Sequence, residues 1–447
     1  MNRLILFFLL LLLWPVHAHA ESTPVIQRIK SPKGLEAWLI EDHKLPLIAF
    51  QFAFEGGVET DSPDKQGLSV LMASLLTQGA GSYDEKAFQD ALAAASIALD
   101  VEAGRDRITG TMKTLARNKD EAFKFLALAL TSPRFEQSSF VRLKRQMQTL
   151  RKIQSAKPAW MSRYTLYRHI FQAHPYSQRA LGTAQSLEAL TREDIKTHHA
   201  NLLARDNLSV AVVGAITAQE LAPLLDQIFG ALPEKSTRPN IPPVVWPKAP
   251  ARTLVKRQGE QTEILFAAPM LPRHDPDWHA AQIANYILGG GGFTARLMTA
   301  LRAHQGLTYG ISTDLIAMEK ASLLIGSVAT GNTQVRPALD LLQTVWQDFY
   351  KNGAAEPEIT AAQDFLTGSL PLSLTSTDAM AAMLLAMQTQ KLGMDYLARY
   401  KERVRAVTKD QVQRVIQKWF DPQQLSFAMA GAPDNVTFNV VYDKIDD

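Results

Sequence analysis

The chain of 447 residues contains no cysteine. That excludes disulfides and thiolate metal sites, so any metal would need His, Asp or Glu, and the fold must rest on its apolar core. Net charge is also scarce, with 47 basic residues against 44 acidic ones. A near-neutral chain lacks the field that draws nucleic acid, so no nucleic-acid partner is expected. Beyond the N-terminus no run is apolar enough to span a bilayer, so no transmembrane segment is expected after processing. Familiar catalytic signatures are missing too. There is no H-E-x-x-H, H-x-x-E-H or G-x-S-x-G. The glycines Gly289, Gly290, Gly291 and Gly292 are not followed by the Lys-Ser/Thr of a phosphate loop.

What is present begins with residues 1–20. Arg3 gives a positive start, residues 4–13 an apolar run, and Ala18-His19-Ala20 a small-residue cleavage site. This pattern predicts a secretory signal peptide, removed in the mature protein. The apolar run falls short of the roughly 20 residues that cross a membrane. The mature chain is therefore expected to be exported, to the periplasm or out of the cell.

An internal repeat sets the domain count. Residues 187–215 and 404–432 align without a gap at an offset of 217. Ala189 matches Ala406, Thr191 matches Thr408, and Leu208-Ser209 matches Leu425-Ser426. Ala211, Gly214 and Ala215 match Ala428, Gly431 and Ala432. In each copy a threonine precedes acidic residues as a helix cap, and an alternating strand ends at glycine. A helix–strand unit repeated half a chain apart signals tandem duplication. Residues 233–249, with five prolines, read as an extended linker. The boundaries expected are 21–232 for the first domain and 250–447 for the second.

Within the first half the spacing predicts strands at 47–54 and 101–113, and helices at 67–78, 85–95, 118–131 and 135–154. The second half repeats this order, with strands at 262–268, 308–314 and 320–329. Hairpin-like strands with helices gathered between them predict an α+β fold of mostly antiparallel sheets.

Histidines offer little chemistry. His198 and His199 are adjacent, so on a helix they point about 100° apart and cannot share one metal. Packing roles are expected for both. His274 and His279 stand five residues apart and do not share a helix face, so a metal held there with Asp275 and Asp277 is conceivable but disfavoured.

The segment 278–313 is more informative. An apolar helix runs into the four glycines and Phe293, a second helix carries Arg296-Leu297 and Leu301-Arg302, and Gly306-Leu307-Thr308-Tyr309 follows. This block resembles the second half of a pitrilysin-type (insulinase, mitochondrial processing peptidase) zinc peptidase. Other segments are similar in the same order: His174-Pro175-Tyr176, Leu181-Gly182-Thr183, and residues 207–214. The resemblance implies two homologous domains forming half of a clamshell. It also implies an Arg/Tyr pair at Arg302 and Tyr309, and a substrate-binding loop of Gly289, Gly290, Gly291, Gly292 and Phe293.

One departure matters most. The family's inverted zinc motif falls on the helix at 67–78, where its two histidine positions are Val70 and Ser74 and its glutamate position is Ala73. The third ligand, a glutamate expected near residues 149–151, is absent as well. Valine and alanine have no ligating atom, and a serine hydroxyl is a poor zinc ligand. The resemblance then implies a non-catalytic subunit with no metal of its own, with zinc expected in a homologous partner subunit. Together the two chains would cleave a peptide or unfolded protein, with Arg302 and Tyr309 acting in trans. The alternatives are a non-proteolytic scaffold or peptide-binding protein of the same fold, and a two-lobed solute-binding protein.

Overall fold

The computed structural model describes residues 24–445, so the expected signal peptide lies outside the described residues. The first half opens with β1 (Gln27–Lys30), β2 (Glu36–Glu41) and β3 (Leu47–Glu55). Helices α1 (Leu68–Leu75) and α2 (Glu85–Ala94) lead to a hairpin of β4 (Ala98–Ala103) and β5 (Arg107–Leu115). Then come α3 (Lys119–Thr131), α4 (Gln137–Ser155), α5 (Pro158–Phe171), α6 (Ala184–Ala189), α7 (Arg192–Leu202), β6 (Leu208–Gly214) and α8 (Ala218–Phe229).

The second half has the same plan. Strands β7 (Arg252–Lys256) and β8 (Gln261–Pro269) precede α9 (Trp278–Asn285) and the short α10 (Arg296–Met298). The hairpin β9 (Ile311–Ala317) and β10 (Ser322–Gly331) follows. After it come α11 (Val335–Asn352), α12 (Glu356–Ser373), α13 (Thr377–Thr389), α14 (Tyr396–Arg405), α15 (Lys409–Trp419), β11 (Ser426–Gly431) and β12 (Val440–Tyr442).

Two six-stranded sheets result, in the orders β1-β2-β6-β3-β5-β4 and β12-β7-β11-β8-β10-β9. In the first only β2 and β6 run parallel; in the second only β7 with β11 and with β12. Such mostly antiparallel sheets make the chain α+β, and they do not suit a solute-binding protein wound from parallel βαβ units. The repeat seen in the sequence is structural. Thr191 and Thr408 both close capping boxes, at the starts of α7 and α15.

Strand β3 shows how each sheet uses its two faces. Ile48, Phe50, Phe52 and Phe54 point one way, into a core with Phe123 and Phe229. Ala49 and Ala53 point the other way, as period-two alternation requires. With Ala211, Val213, Trp38 and Ile40 they make a shallow floor. The helix that covers this floor is α13, from the other half of the chain, through Ala381, Leu384 and Leu385. Conversely, α5 from the first half covers the second sheet. Its Leu166, Ile170 and Phe171 meet Leu265, Ala267, Leu323 and Ala428. Each buried Leu, Ile or Phe among them contributes about 1.5–3 kcal/mol. The exchanged helix α13 is also tied at both ends. Lys113 pairs with Asp378 in its first turn, and the Arg107 guanidinium donates to the Thr389 carbonyl at 3.1 Å.

The expected strand at 308–314 instead begins at Ile311. Gly306 turns the chain at φ +62°. Thr308 then accepts a hydrogen bond from the Gly310 amide at 3.1 Å and donates to the Ala329 carbonyl at 2.8 Å. That local side-chain bonding replaces the ladder bonds a strand would make. The linker has no regular structure but is anchored: the Val244 amide bonds to the Lys320 carbonyl at 3.0 Å.

Candidate functional site

The glycine loop grows out of α9 without a break. The helix widens into a π-type turn over Tyr286–Gly290, closed by the Gly291 amide bonding to the Tyr286 carbonyl at 2.8 Å. Such wide turns recur at functional sites. Asn285 holds this turn to β9. It accepts from the Thr313 hydroxyl at 2.7 Å and donates to the Thr313 carbonyl at 3.1 Å. A side chain on Gly289 would place its Cβ 2.4 Å from the Thr313 hydroxyl, so this buried glycine is a packing requirement. Gly292 differs: it sits at φ +59° with open space around it. Beyond it Phe293 is 74% exposed.

The second wide turn, Thr299–His304, carries Arg302. Its exposed guanidinium lies 4.7 Å from the centre of the Phe293 ring. Among the described residues it has no acidic partner. Arg296, one and a half turns earlier, is the opposite case. It bonds to Glu358 at 2.6 and 2.8 Å and to the Gly353 carbonyl at 3.0 Å. Tyr309 projects from the turn before β9 and is 89% exposed. The structure thus brings Phe293 and Arg302 into contact and leaves Tyr309 standing free of the core.

The face expected to lack a metal lies on α1. Ala73 is buried, Val70 and Ser74 are partly exposed, and the Ser74 hydroxyl donates to the Val70 carbonyl at 2.9 Å. On α4, which packs against α1, the buried residue in the third-ligand region is Arg151. Burial and the nearby Arg179 lower its pKa. An apolar pair, a committed hydroxyl and a cation do not fit a zinc ion. Among the described residues no three His, Asp or Glu side chains are grouped to hold a metal. His199 bonds through Nε2 to the Leu130 carbonyl at 2.8 Å. His279 bonds to Gln282 at 2.9 Å and packs beside Tyr396 and Tyr400.

Beside α1 lies a buried polar group that the sequence did not flag. Asp61 accepts from the Gly67 and Ser69 amides, both at 3.0 Å, and from the Ser69 hydroxyl at 2.6 Å. It thereby caps α1. His198 Nε2 lies 2.9 Å from the same hydroxyl. This is not a nucleophilic triad, because the serine lies between aspartate and histidine, donates to Asp61 rather than to the imidazole, and is itself fully buried. Nearby, Glu59 opens onto a cavity of about 230 Å³ lined also by Arg238, Glu319 and Lys320. Tyr176 ties this region to the second sheet. Its hydroxyl bonds to Asp106 and accepts from the Lys320 amide at 3.0 Å. The available sequence signal was the acidic pair in V-E-T-D after β3, placed where a loop should leave the core.

Burial, reinforced by Asp106 and then Glu319, pushes the Glu59 carboxyl up to about 8. Burial pushes Asp61 up to about 7 and His198 down to about 4. A raised carboxyl keeps its proton in the folded chain after the unfolded chain has lost it. Its stabilising share is complete below the ordinary carboxylate range and lost as pH rises through the folded value. The histidine works in the opposite sense, but only between about 4 and its ordinary 6.5. Stability measured by urea unfolding should therefore fall from pH 6.5 to 8.5. Glu59→Gln should flatten the upper part of that decline. An unchanged slope in that variant would show that Glu59 does not carry it.

The duplicated α+β architecture thus carries, in its second half, a glycine loop with an exposed Arg302 and an exposed Tyr309 beyond it. Residues 39–184 match the insulinase family (peptidase family M16), and residues 189–366 match the peptidase M16 inactive domain. The chain belongs to the M16 peptidase family. It is 25% identical over 373 residues to the non-peptidase homolog YmxG of Helicobacter pylori, covering 83% of this chain and 85% of that one. An uncharacterized zinc protease of Mycobacterium leprae is 27% identical over 225 residues, covering 48% of this chain and 49% of its own. The crystal structure of the peptidase M16 inactive domain from Pseudomonas fluorescens superposes with a TM-score of 0.86. It is 25% identical and covers 93% of this chain and 99% of that one. The inactive-domain model covers the second half of the chain, and the first half, which matches the insulinase family, carries Val70, Ala73 and Ser74 at the ligand positions.

Proposed function

We propose that this chain is the non-catalytic subunit of a two-chain zinc metallopeptidase. A homologous partner would carry the metal, and the two would enclose a peptide or unfolded protein. The observation that carries the reading is the contrast within one helical unit. Arg296 is fully bonded into the fold, whereas Arg302 is exposed with no acid beside it. A guanidinium kept for stability would have a partner like Glu358. One kept for substrate stays available. Its fork and the Tyr309 hydroxyl can donate hydrogen bonds to a peptide carbonyl and to the oxyanion that develops on it. The partner's zinc would supply the activated water, since the residues here do not fit that ion.

Residues 1–20 support export, so the assembly would work in the periplasm or outside the cell. The test is to purify the chain alone and with a similar-sized M16 chain bearing H-x-x-E-H, then measure zinc and peptide cleavage. Cleavage by the pair and by neither chain alone supports the reading. Stoichiometric zinc in this chain, or cleavage without a partner, overturns it. The similarity to a protein described as a non-peptidase homolog favours one alternative, a non-proteolytic scaffold. An Arg302→Ala complex of full activity would favour it.

A further inference from the structure

Helix α12 carries a face that the described residues leave exposed along most of its length. Pro357, Ala361, Phe365, Gly368 and Leu372 recur at steps of four, four, three and four, which lines them along one side of a helix. All five are exposed, Phe365 by 53% and Leu372 by 73%. The opposite side, with Ile359, Ala362, Gln363 and Thr367, is buried. No charge interrupts the stripe. Neighbouring Asp364 and Glu358 are paired with Arg405 and Arg296. Single exposed apolar residues are ordinary, but a contiguous apolar stripe over four turns marks a binding surface.

The course of the stripe selects its occupant. The Phe365 ring lies 4.8 Å from Tyr286, the first residue of the wide turn entering the glycine loop. The stripe thus meets the turn from which the chain runs on to Phe293 and Arg302. It is about 22 Å long at 1.5 Å per residue, which matches roughly six or seven residues of extended chain. A second copy would offer one helix in return, well short of the about 1,600 Å² of a typical stable interface. A bilayer would need α13 as well, and α13 is buried against the first sheet.

We propose that this face of α12 is a shelf for the apolar side chains of an extended, unfolded polypeptide whose backbone is carried to Arg302 and Tyr309. The proposal rests on the role suggested above for the glycine loop. It adds the substrate class: weakly charged segments rich in aliphatic and aromatic residues.

The test uses the full mature chain and two fluorescein-labelled peptides of equal length, one rich in Leu and Phe, the other with Ser in those places. Anisotropy titration should show binding of the apolar peptide only. The double variant Phe365→Glu, Leu372→Glu should weaken it at least tenfold. Leu45→Glu, exposed far along the sequence in a loop, should bind as wild type. If the double variant melts early, Phe365→Ser alone repeats the comparison. Equal affinity for both peptides, or for wild type and variant, overturns the proposal. So does a wild-type dimer in sedimentation that the variant makes monomeric, or pelleting with neutral phosphatidylcholine vesicles that the variant abolishes. Binding is read on the chain alone and cleavage only on the pair, so failure of the shelf and failure of the two-chain enzyme are separate results.

Discussion

Arg302→Ala should lower kcat of the assembled peptidase about 100-fold, the usual cost of removing one oxyanion donor, while KM changes little. The loss belongs to the transition state, because the guanidinium matters most when negative charge develops on the carbonyl oxygen. The fold should be indifferent. The side chain is exposed and lies over the Phe293 ring in a cation–π contact, worth about 0.5–1 kcal/mol at an exposed site. Melting curves of wild type and variant should therefore overlay closely. Full activity in the variant complex would remove Arg302 from the reaction. An early-melting variant would instead give it the structural role that Arg296 already has. Arg296→Ala makes the contrast: it strands Glu358 and should be read in stability first.

Gly110→Val should destabilise the chain by about 3 kcal/mol, near the upper end of overpacking costs. Gly110 on β5 faces Phe52 on β3, and a Cβ there would lie 1.9 Å from the ring. The ring cannot retreat, because Phe52 is fully buried among Phe50, Phe54 and Phe229. The second sheet repeats the device. Gly326 faces Phe266, and its Cβ would fall 2.2 Å from that ring. Gly326→Val should be comparably damaging, whereas Gly331→Ala, with open space around it, should be nearly neutral. The measurement is the urea midpoint of each variant. A Gly110→Val midpoint equal to wild type would mean that the phenylalanine cluster yields more easily than its packing implies.

Much of this architecture can be read from residues alone, for identifiable reasons. Caps and alternation are local, so Thr191, Thr408 and the strands they precede announce the duplication. The α+β class follows from hairpin spacing. The empty ligand face could be read because three side chains at fixed helical positions, Val70, Ala73 and Ser74, either ligate or do not. What stayed hidden is long-range. Periodicity says that Leu166, Ile170 and Phe171 on α5 must be buried, but not that the second sheet buries them. The Phe52–Gly110 pairing needs the strand register. The start of β9 at Ile311 depends on one threonine hydroxyl competing with the ladder. Composition and spacing do not separate Arg296 from Arg302; the family resemblance points to Arg302, and the surroundings add that Arg296 is bonded to Glu358. The stripe on α12 was readable by spacing, but its exposure was not.

The exchange of α5 and α13 has a consequence for the ancestry of the molecule. These helices occupy the same place in the two repeats, each following the pair of helices after its hairpin. A single ancestral copy folding alone would leave one face of its sheet bare. Two copies trading that helix would close both faces at once, as in a swapped symmetric dimer. The proline-rich linker at 233–249 would then hold within one chain an association that two separate copies could make. Once the copies are joined, each is free to diverge. One could lose its zinc ligands and the other keep an arginine and a tyrosine, without either half having to stand alone again.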